Sequence, residues 1–218
     1  VHACRERSAE MDAVVCLTGQ HREMLRQVTD YFEIVGDVDL DLMMPNQTLA
    51  SLTARCVSKL DETIAEIQPH CIVAQGDTTT VMAASMVAFY RRLPFVHVEA
   101  GLRTGDLYQP WPEEFNRRVT SLVTALHCAP TSGAADNLLA EHYDSATVHV
   151  TGNTVIDALL YTATRERDRG DHWKEVYDFL GTQRMVLITG HPRENFGGGF
   201  ERICDAIAQL ADAFPDVA

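Results

Sequence analysis

Residues 94–118 read PFVHVEAGLRTGDLYQPWPEEFNRR, and this stretch decides the fold class. Phe95, Val96 and Val98 are strand formers set behind a proline, with His97 the one polar residue among them. The strand stops at Glu99, Ala100-Gly101 turns the chain, and a polar loop with Gly105 and Asp106 follows. Pro112 then opens a helix whose first turn holds Glu113 and Glu114, where acidic side chains suit the macrodipole. Phe115, Val119, Leu122, Val123 and Leu126 recur at helical spacing and predict the face this helix buries. A carboxylate ending a buried strand and two more opening the next helix suit a site. They also suit a plain turn and a plain helix start.

Outward from this stretch the same alternation repeats. Strands are predicted at Ala13–Leu17, Cys71–Ala74, Leu126–Ala129, Thr147–Val150 and Met185–Thr189. Helices are predicted over residues 22–32, 47–67, 78–90 and 132–142, from Thr154 onward, over 173–180, and last around Phe200, Ile203, Ile207 and Leu210. Asp37–Pro45 reads as an acidic connector, and residues 165–171 (RERDRGD) as a solvated interdomain linker. Alternating strands and helices imply an α/β protein with a parallel sheet covered on both faces. Right-handed crossovers then gather the strand C-termini at one edge, where open α/β sheets bind ligands. That edge collects Gln20-His21, Asp77, Glu99, Thr151–Asn153 and His191–Arg193. Polar turns account for the glycines there, but less well for an Asp, a Glu and two His at four strand ends.

The chain has 218 residues, 46% hydrophobic and 22% charged, which fits a soluble globular protein. A net charge of −13 argues against a nucleic-acid footprint or adhesion to an anionic membrane. It leaves room for an anionic nucleotide held at helix N-termini. None of the six cysteines lies in a CxxC pair, so reduced, buried thiols of a cytoplasmic protein are expected. No His/Cys cluster has zinc spacing, no GxGxxG or GxxxxGK[ST] is present, and neither a metal nor a cofactor is implied. Val1 at the start and Pro215–Ala218 at the end suggest a fragment whose first strand is missing.

Taken together, several stretches resemble the non-hydrolysing UDP-N-acetylglucosamine 2-epimerases. They are Gly19–Leu25, GDTTT at 76–80, HVEAGLRTGDLY at 97–108, PWPEEFNRR at 110–118, TGNTVIDALL at 151–160 and GHPREN at 190–195. The resemblance covers nearly the whole chain. It implies two Rossmann-like domains of GT-B type, with a nucleotide sugar in the cleft between them. Residues 1–164 would be most of the first domain, 165–180 a linker and short helix, and 181–218 the start of the second. It implies interconversion of UDP-GlcNAc and UDP-ManNAc for surface polysaccharide precursors, by a cytoplasmic homodimer that binds neither nucleic acid nor membrane.

The sugar C2 proton is not next to a carbonyl, so the family route resembles elimination of UDP to a 2-acetamidoglucal and re-addition. By the family match Asp77, Glu99 and Glu113 are the acid/base set, and His191 contacts the nucleotide sugar. Arg103 and Arg117 are candidates to hold phosphate or the carboxylates. A regulatory UDP-GlcNAc site in bacterial members touches the segment matching Gln20-His21. The chain departs from the family pattern at Glu23, Asn46 and Pro192. Two other readings stay open: a UDP-sugar glycosyltransferase of the same fold, and a non-catalytic nucleotide-sugar binding domain. Taken alone, the 218-residue chain is expected to be inactive.

Overall fold

The structure, a computed structural model, describes residues 1–19, 22–44, 46–189 and 198–218. After a short helix, His2–Arg5, the first strand β1 is Cys16–Leu17. It pairs in parallel with β2, Val38–Asp39, across the helix Arg22–Tyr31. The strand β2 lies inside the stretch expected to be a connector. The residues in and beside it alternate: Asp37, Asp39 and Asp41 are exposed, while Val38, Leu40 and Leu42 turn inward. The charge of the aspartates masks a period of two, which is the mark of a strand with one face buried.

The second sheet contains β3 (Ile72–Gln75), β4 (Phe95–Val98), β5 (Leu126–Ala129) and β6 (Val148–Val150), all parallel and in sequence order. The connecting helices are α3 (Leu49–Ile67), α4 (Thr79–Tyr90), α5 (Glu113–Val123) and α6 (Ser132–Ala140), where α1 and α2 denote the two helices named above. Three of these four open on a threonine. Thr48, Thr78 and Thr131 each accept a hydrogen bond from a free backbone N–H of the first turn. Helix α4 is apolar nearly all round because it packs against α3, α5, β3 and β4 at once. Leu52, Cys56, Leu60, Val81, Val87 and Phe95 form the core between these elements. Each large apolar side chain buried there contributes about 2 kcal/mol.

The sheet is not packed equally on its two faces. Residues that pair across the strands share a face, so Ile72, Ala74, Phe95, His97, His127, Ala129 and Val148 form one row set, against which the helices lie. On the other face Val73 is 61% exposed, and Val96, Val98, Leu126 and Cys128 are half-buried. Only the first face meets the expectation of a covered sheet among the described residues.

Helix α5 is turned opposite to expectation. Phe115 is 49% and Leu122 74% exposed. The buried face carries Glu114, Asn116, Arg117, Thr120 and Ser121. Hydrophobic spacing assumes an apolar floor beneath the helix, but here its polar side chains have partners inside. Thr120 and Ser121 hydroxyls donate back to the carbonyls of Asn116 and Arg117.

Contacts divide the described chain into Val1–Asn153 and Thr154–Ala218. The second unit contains α7 (Thr154–Arg167), α8 (Gly170–Val176) and α9 (Gly198–Ala213). The residues read as a linker, 165–171, are thus mostly helix. The strand expected at Met185–Thr189 reduces to one parallel bridge, Arg184 with Val217, and Met185–Ile188 are exposed. Among the cysteines Cys56 alone is fully buried. Cys71 and Cys204 are exposed and the others half-buried, which corrects the expectation of six buried thiols. All six are free.

Candidate active site

The parallel register sets Gln75 beside Val98, so the chain leaves β3 and β4 side by side. Both exits are sharp turns. Gly76 has φ +85 and Glu99 has φ +67, the left-handed region that an L side chain occupies at a cost. The two exits are stitched together. The Gly76 N–H donates to the Val98 carbonyl at 3.0 Å, and His97 Nε2 meets the Gly76 carbonyl at 2.8 Å. A Cβ on Gly76 would stand 3.7 Å from Glu99 Oε2, so the Glu99 carboxylate lies over this corner.

Two further elements reach the same place. From α5, Arg117 Nη2 lies 2.8 Å from Asp77 Oδ2, and the Asn116 amide donates to the Asp77 main-chain carbonyl at 2.9 Å. From the turn after β6, Asn153 Nδ2 donates to Glu99 Oε1 at 3.0 Å. Glu113 precedes Asn116 by three residues and Arg117 by four, so it stands one turn back on the same side of α5.

Beneath the carboxylates the sheet holds two buried imidazoles, His97 and His127, opposite each other on β4 and β5. A carbonyl can only accept, so His97 carries its proton on Nε2. Burial pushes the His97 imidazole below its ordinary range. The Arg103 charge adds to this, while the Gly76 bond and the Asp77 and Glu99 charges oppose it. His127 is lowered to about 4 by burial, then by His97 and Arg103. Neither of its ring nitrogens has a hydrogen-bond partner, and its ring rests 5.0 Å from that of Tyr143. Both rings are therefore neutral near pH 7.

Glu114, with 0% exposure, accepts from the Thr104 N–H at 3.2 Å and from Arg118 Nε at 2.9 Å, with Arg117 Nη1 at 3.6 Å. Burial pushes its carboxyl up, but the Arg118 and Thr104 bonds and the two guanidinium charges outweigh this and hold it low. It anchors the loop that follows Gly101. Gly101 itself has φ +86, and a Cβ there would stand 2.2 Å from the Ala134 carbonyl, so this turn admits only glycine.

Of the residues singled out in sequence, Asp77, Glu99 and Arg117 are brought together, with Glu113 on the adjoining helix face. Arg103 stands apart. Its guanidinium grips Glu141 with two bonds of 2.8 Å and also bonds Ser121 and the Leu102 carbonyl, so it holds α6 to the loop and is not free for a phosphate. His191, Gln20 and His21 lie outside the described residues. Asn116 and His97 are the additions, while Asn153 and Glu114, already placed at the strand edge and the helix start by sequence, gain their partners here. Asn153 carries a sequence signal, because it closes a strand end. Asn116 has none beyond its helical spacing from Glu113.

This arrangement has close relatives. The family profile described as UDP-N-acetylglucosamine 2-epimerase matches residues 2–218. The UDP-N-acetylglucosamine 2-epimerase of Yersinia pestis is 49% identical over 221 residues, covering 100% of this chain and 58% of that protein. That of Escherichia coli strain K12 is 47% identical, covering 94% and 56%. The crystal structure of UDP-GlcNAc 2-epimerase from Neisseria meningitidis bound to UDP-GlcNAc superposes with a TM-score of 0.91 at 44% identity, covering 96% of this chain and 57% of that one. The Methanocaldococcus jannaschii UDP-GlcNAc 2-epimerase, in complex with UDP-GlcNAc and UDP, gives a TM-score of 0.81 at 26% identity, covering 98% and 58%. The chain therefore spans somewhat over half the length of the relatives it matches. These neighbours bear out the expected α/β, Rossmann-like fold of GT-B type. With nearly every residue inside the profile and two carboxylates gathered at one sheet edge, the chain belongs to the UDP-N-acetylglucosamine 2-epimerase family.

Proposed function

We propose that the protein interconverts UDP-GlcNAc and UDP-ManNAc, as an isomerase without a cofactor, and supplies precursors of surface polysaccharides. In the forward step the C2 proton leaves to a carboxylate and the C1–O bond to UDP breaks, giving 2-acetamidoglucal and UDP. In the return step UDP re-adds at C1 and a proton reaches C2 on the other face. The observation that carries this reading is the pair Asp77 and Glu99 on adjoining parallel strand exits, each oriented by a donor from another element. Acid/base work on both faces of one carbon needs more than one such group, held in fixed positions. Asp77, Glu99 and Glu113 form that set in this reading, His191 contacts the nucleotide sugar, and Arg117 holds Asp77 and faces the departing phosphate.

Among the described residues no helix is long and apolar enough to cross a membrane. A cytoplasmic homodimer is part of the proposal. Phe89, Tyr90, Phe115 and Leu122 on the neighbouring helices α4 and α5 expose apolar surface of the kind a second copy covers.

The test is turnover of UDP-GlcNAc by the full-length protein in D₂O, followed by NMR. Deuterium at C2 of UDP-ManNAc is the expected result. Product without label, or transfer of the sugar to an acceptor with no C2 exchange, overturns the reading in favour of a glycosyltransferase.

A further inference from the structure

Resting on that reading, we propose that Asn153 is a positioning residue for Glu99: it occupies one carboxylate oxygen and thereby assigns proton transfer to the other. The geometry begins in the backbone. β6 ends at Val150, and the Thr151 N–H still pairs with the Ala129 carbonyl at 2.9 Å. Gly152 then takes φ +80 and turns the chain, and Asn153 reaches past β5 to β4. Its amide donates to Glu99 Oε1 at 3.0 Å. The other oxygen, Oε2, lies over Gly76, where the missing side chain leaves space beside it.

An ionised carboxylate only accepts, so the Asn153 nitrogen is the donor. An amide does not titrate, and it keeps this bond whether Glu99 is ionised or protonated. When Glu99 is protonated, Oε1 still receives the amide hydrogen, so the proton sits on Oε2. A glutamate has three rotatable side-chain bonds, and its backbone here is already in a strained region. Without Asn153 the carboxylate would rotate freely between its two oxygens. The charged and titratable neighbours of this corner are Asp77 with its partner Arg117, from β3 and α5, and His97, within β4. Among the described residues Asp77 and Glu99 are the acids at these two strand exits, so a third carboxylate there would act directly on Glu99.

The experiment compares Asn153→Ala and Asn153→Asp with the wild type in the full-length protein, reading kcat and KM for UDP-GlcNAc across pH. Both variants are expected to lose about 10-fold to 100-fold in kcat with KM within about 3-fold, because positioning acts on the chemical step. In Asn153→Asp the acid limb of the kcat profile should also move up by about one pH unit, since a like charge beside a carboxylate favours its protonated form. Asn153→Asp keeps the size and shape of the side chain, so it decides the matter if Asn153→Ala does not fold. A wild-type kcat and pH profile in Asn153→Asp overturns the proposal. A full-length wild type that does not epimerise UDP-GlcNAc overturns the functional reading itself, and this role with it.

Discussion

Arg117 holds the carboxylate of Asp77, Nη2 to Oδ2, at 2.8 Å, from a side chain only 10% exposed. Its sequence neighbour Asn116 holds the Asp77 main chain, so consecutive residues of one helix grip both ends of one strand-end residue. A lysine would supply the charge without the planar fork. Arg117→Lys and Arg117→Ala should each lower kcat/KM for UDP-GlcNAc by about 10²-fold, the scale of a misplaced clamp. Steady-state assays of the full-length protein decide it, and equal rates would remove Arg117 from the site.

Asp77→Asn, Glu99→Gln and Glu113→Gln should each reduce turnover by about 10²-fold or more, as expected for a lost acid/base group. Circular dichroism should stay native. A variant that keeps wild-type turnover takes its residue out of the mechanism.

Glu114→Gln should act on stability instead. The carboxylate satisfies Thr104 and Arg118 in a closed space with Arg117 nearby, and neutralising it deprives Arg118 of its buried counter-charge while Arg117 keeps Asp77. A loss of about 2 kcal/mol or more is expected, read from the urea midpoint. Because Glu114 is held low in the fold, its contribution is present above the ordinary carboxyl value of 4.5 and fades as pH falls through its lowered one. An unchanged midpoint would mean the cluster is unimportant to folding.

His127 gives a second pH dependence in a higher window. Its folded value of about 4 lies below the ordinary 6.5, so the unfolded chain takes up the proton first. Its contribution is complete above about pH 6.5 and declines toward pH 4. His97, lowered in the same direction, adds to the slope. Thermal melts between pH 7 and pH 4.5 should show a falling Tm, and His127→Leu should flatten the curve. A parallel curve in the variant would assign the slope to other groups.

Leu122→Asp should turn a dimer into a monomer, because it places a charge in the exposed apolar face of α5. Sedimentation of wild type and variant reads this directly. A wild-type monomer, or a variant that stays dimeric, would exclude this face as the interface.

Most of the sheet is legible in sequence because each strand of β3–β6 is a short apolar run between turn residues. The strand-end carboxylates are legible for the same reason: Glu99 follows such a run directly, and Asp77 follows one after Gln75-Gly76. Reading fails where one physical rule masks another. Around β2 three aspartates hide the alternation of Val38, Leu40 and Leu42. In α5 the apolar stripe is easy to find but faces outward, because the inner face is filled with ion pairs and hydroxyls that satisfy one another. Arg103 looks like a ligand group until its partner Glu141, 38 residues away, is known. Asn153 and Glu99 are 54 residues apart, and only the turn at Gly152 brings them together.

The left-handed backbone at Glu99 has one more consequence. At that position the polypeptide would prefer glycine, which adopts the conformation without steric penalty. A laboratory search for heat-resistant variants, blind to turnover, should therefore be drawn to Glu99→Gly and would erase the acid in doing so. In the proposed reaction, resistance to heat and turnover therefore compete at this single position.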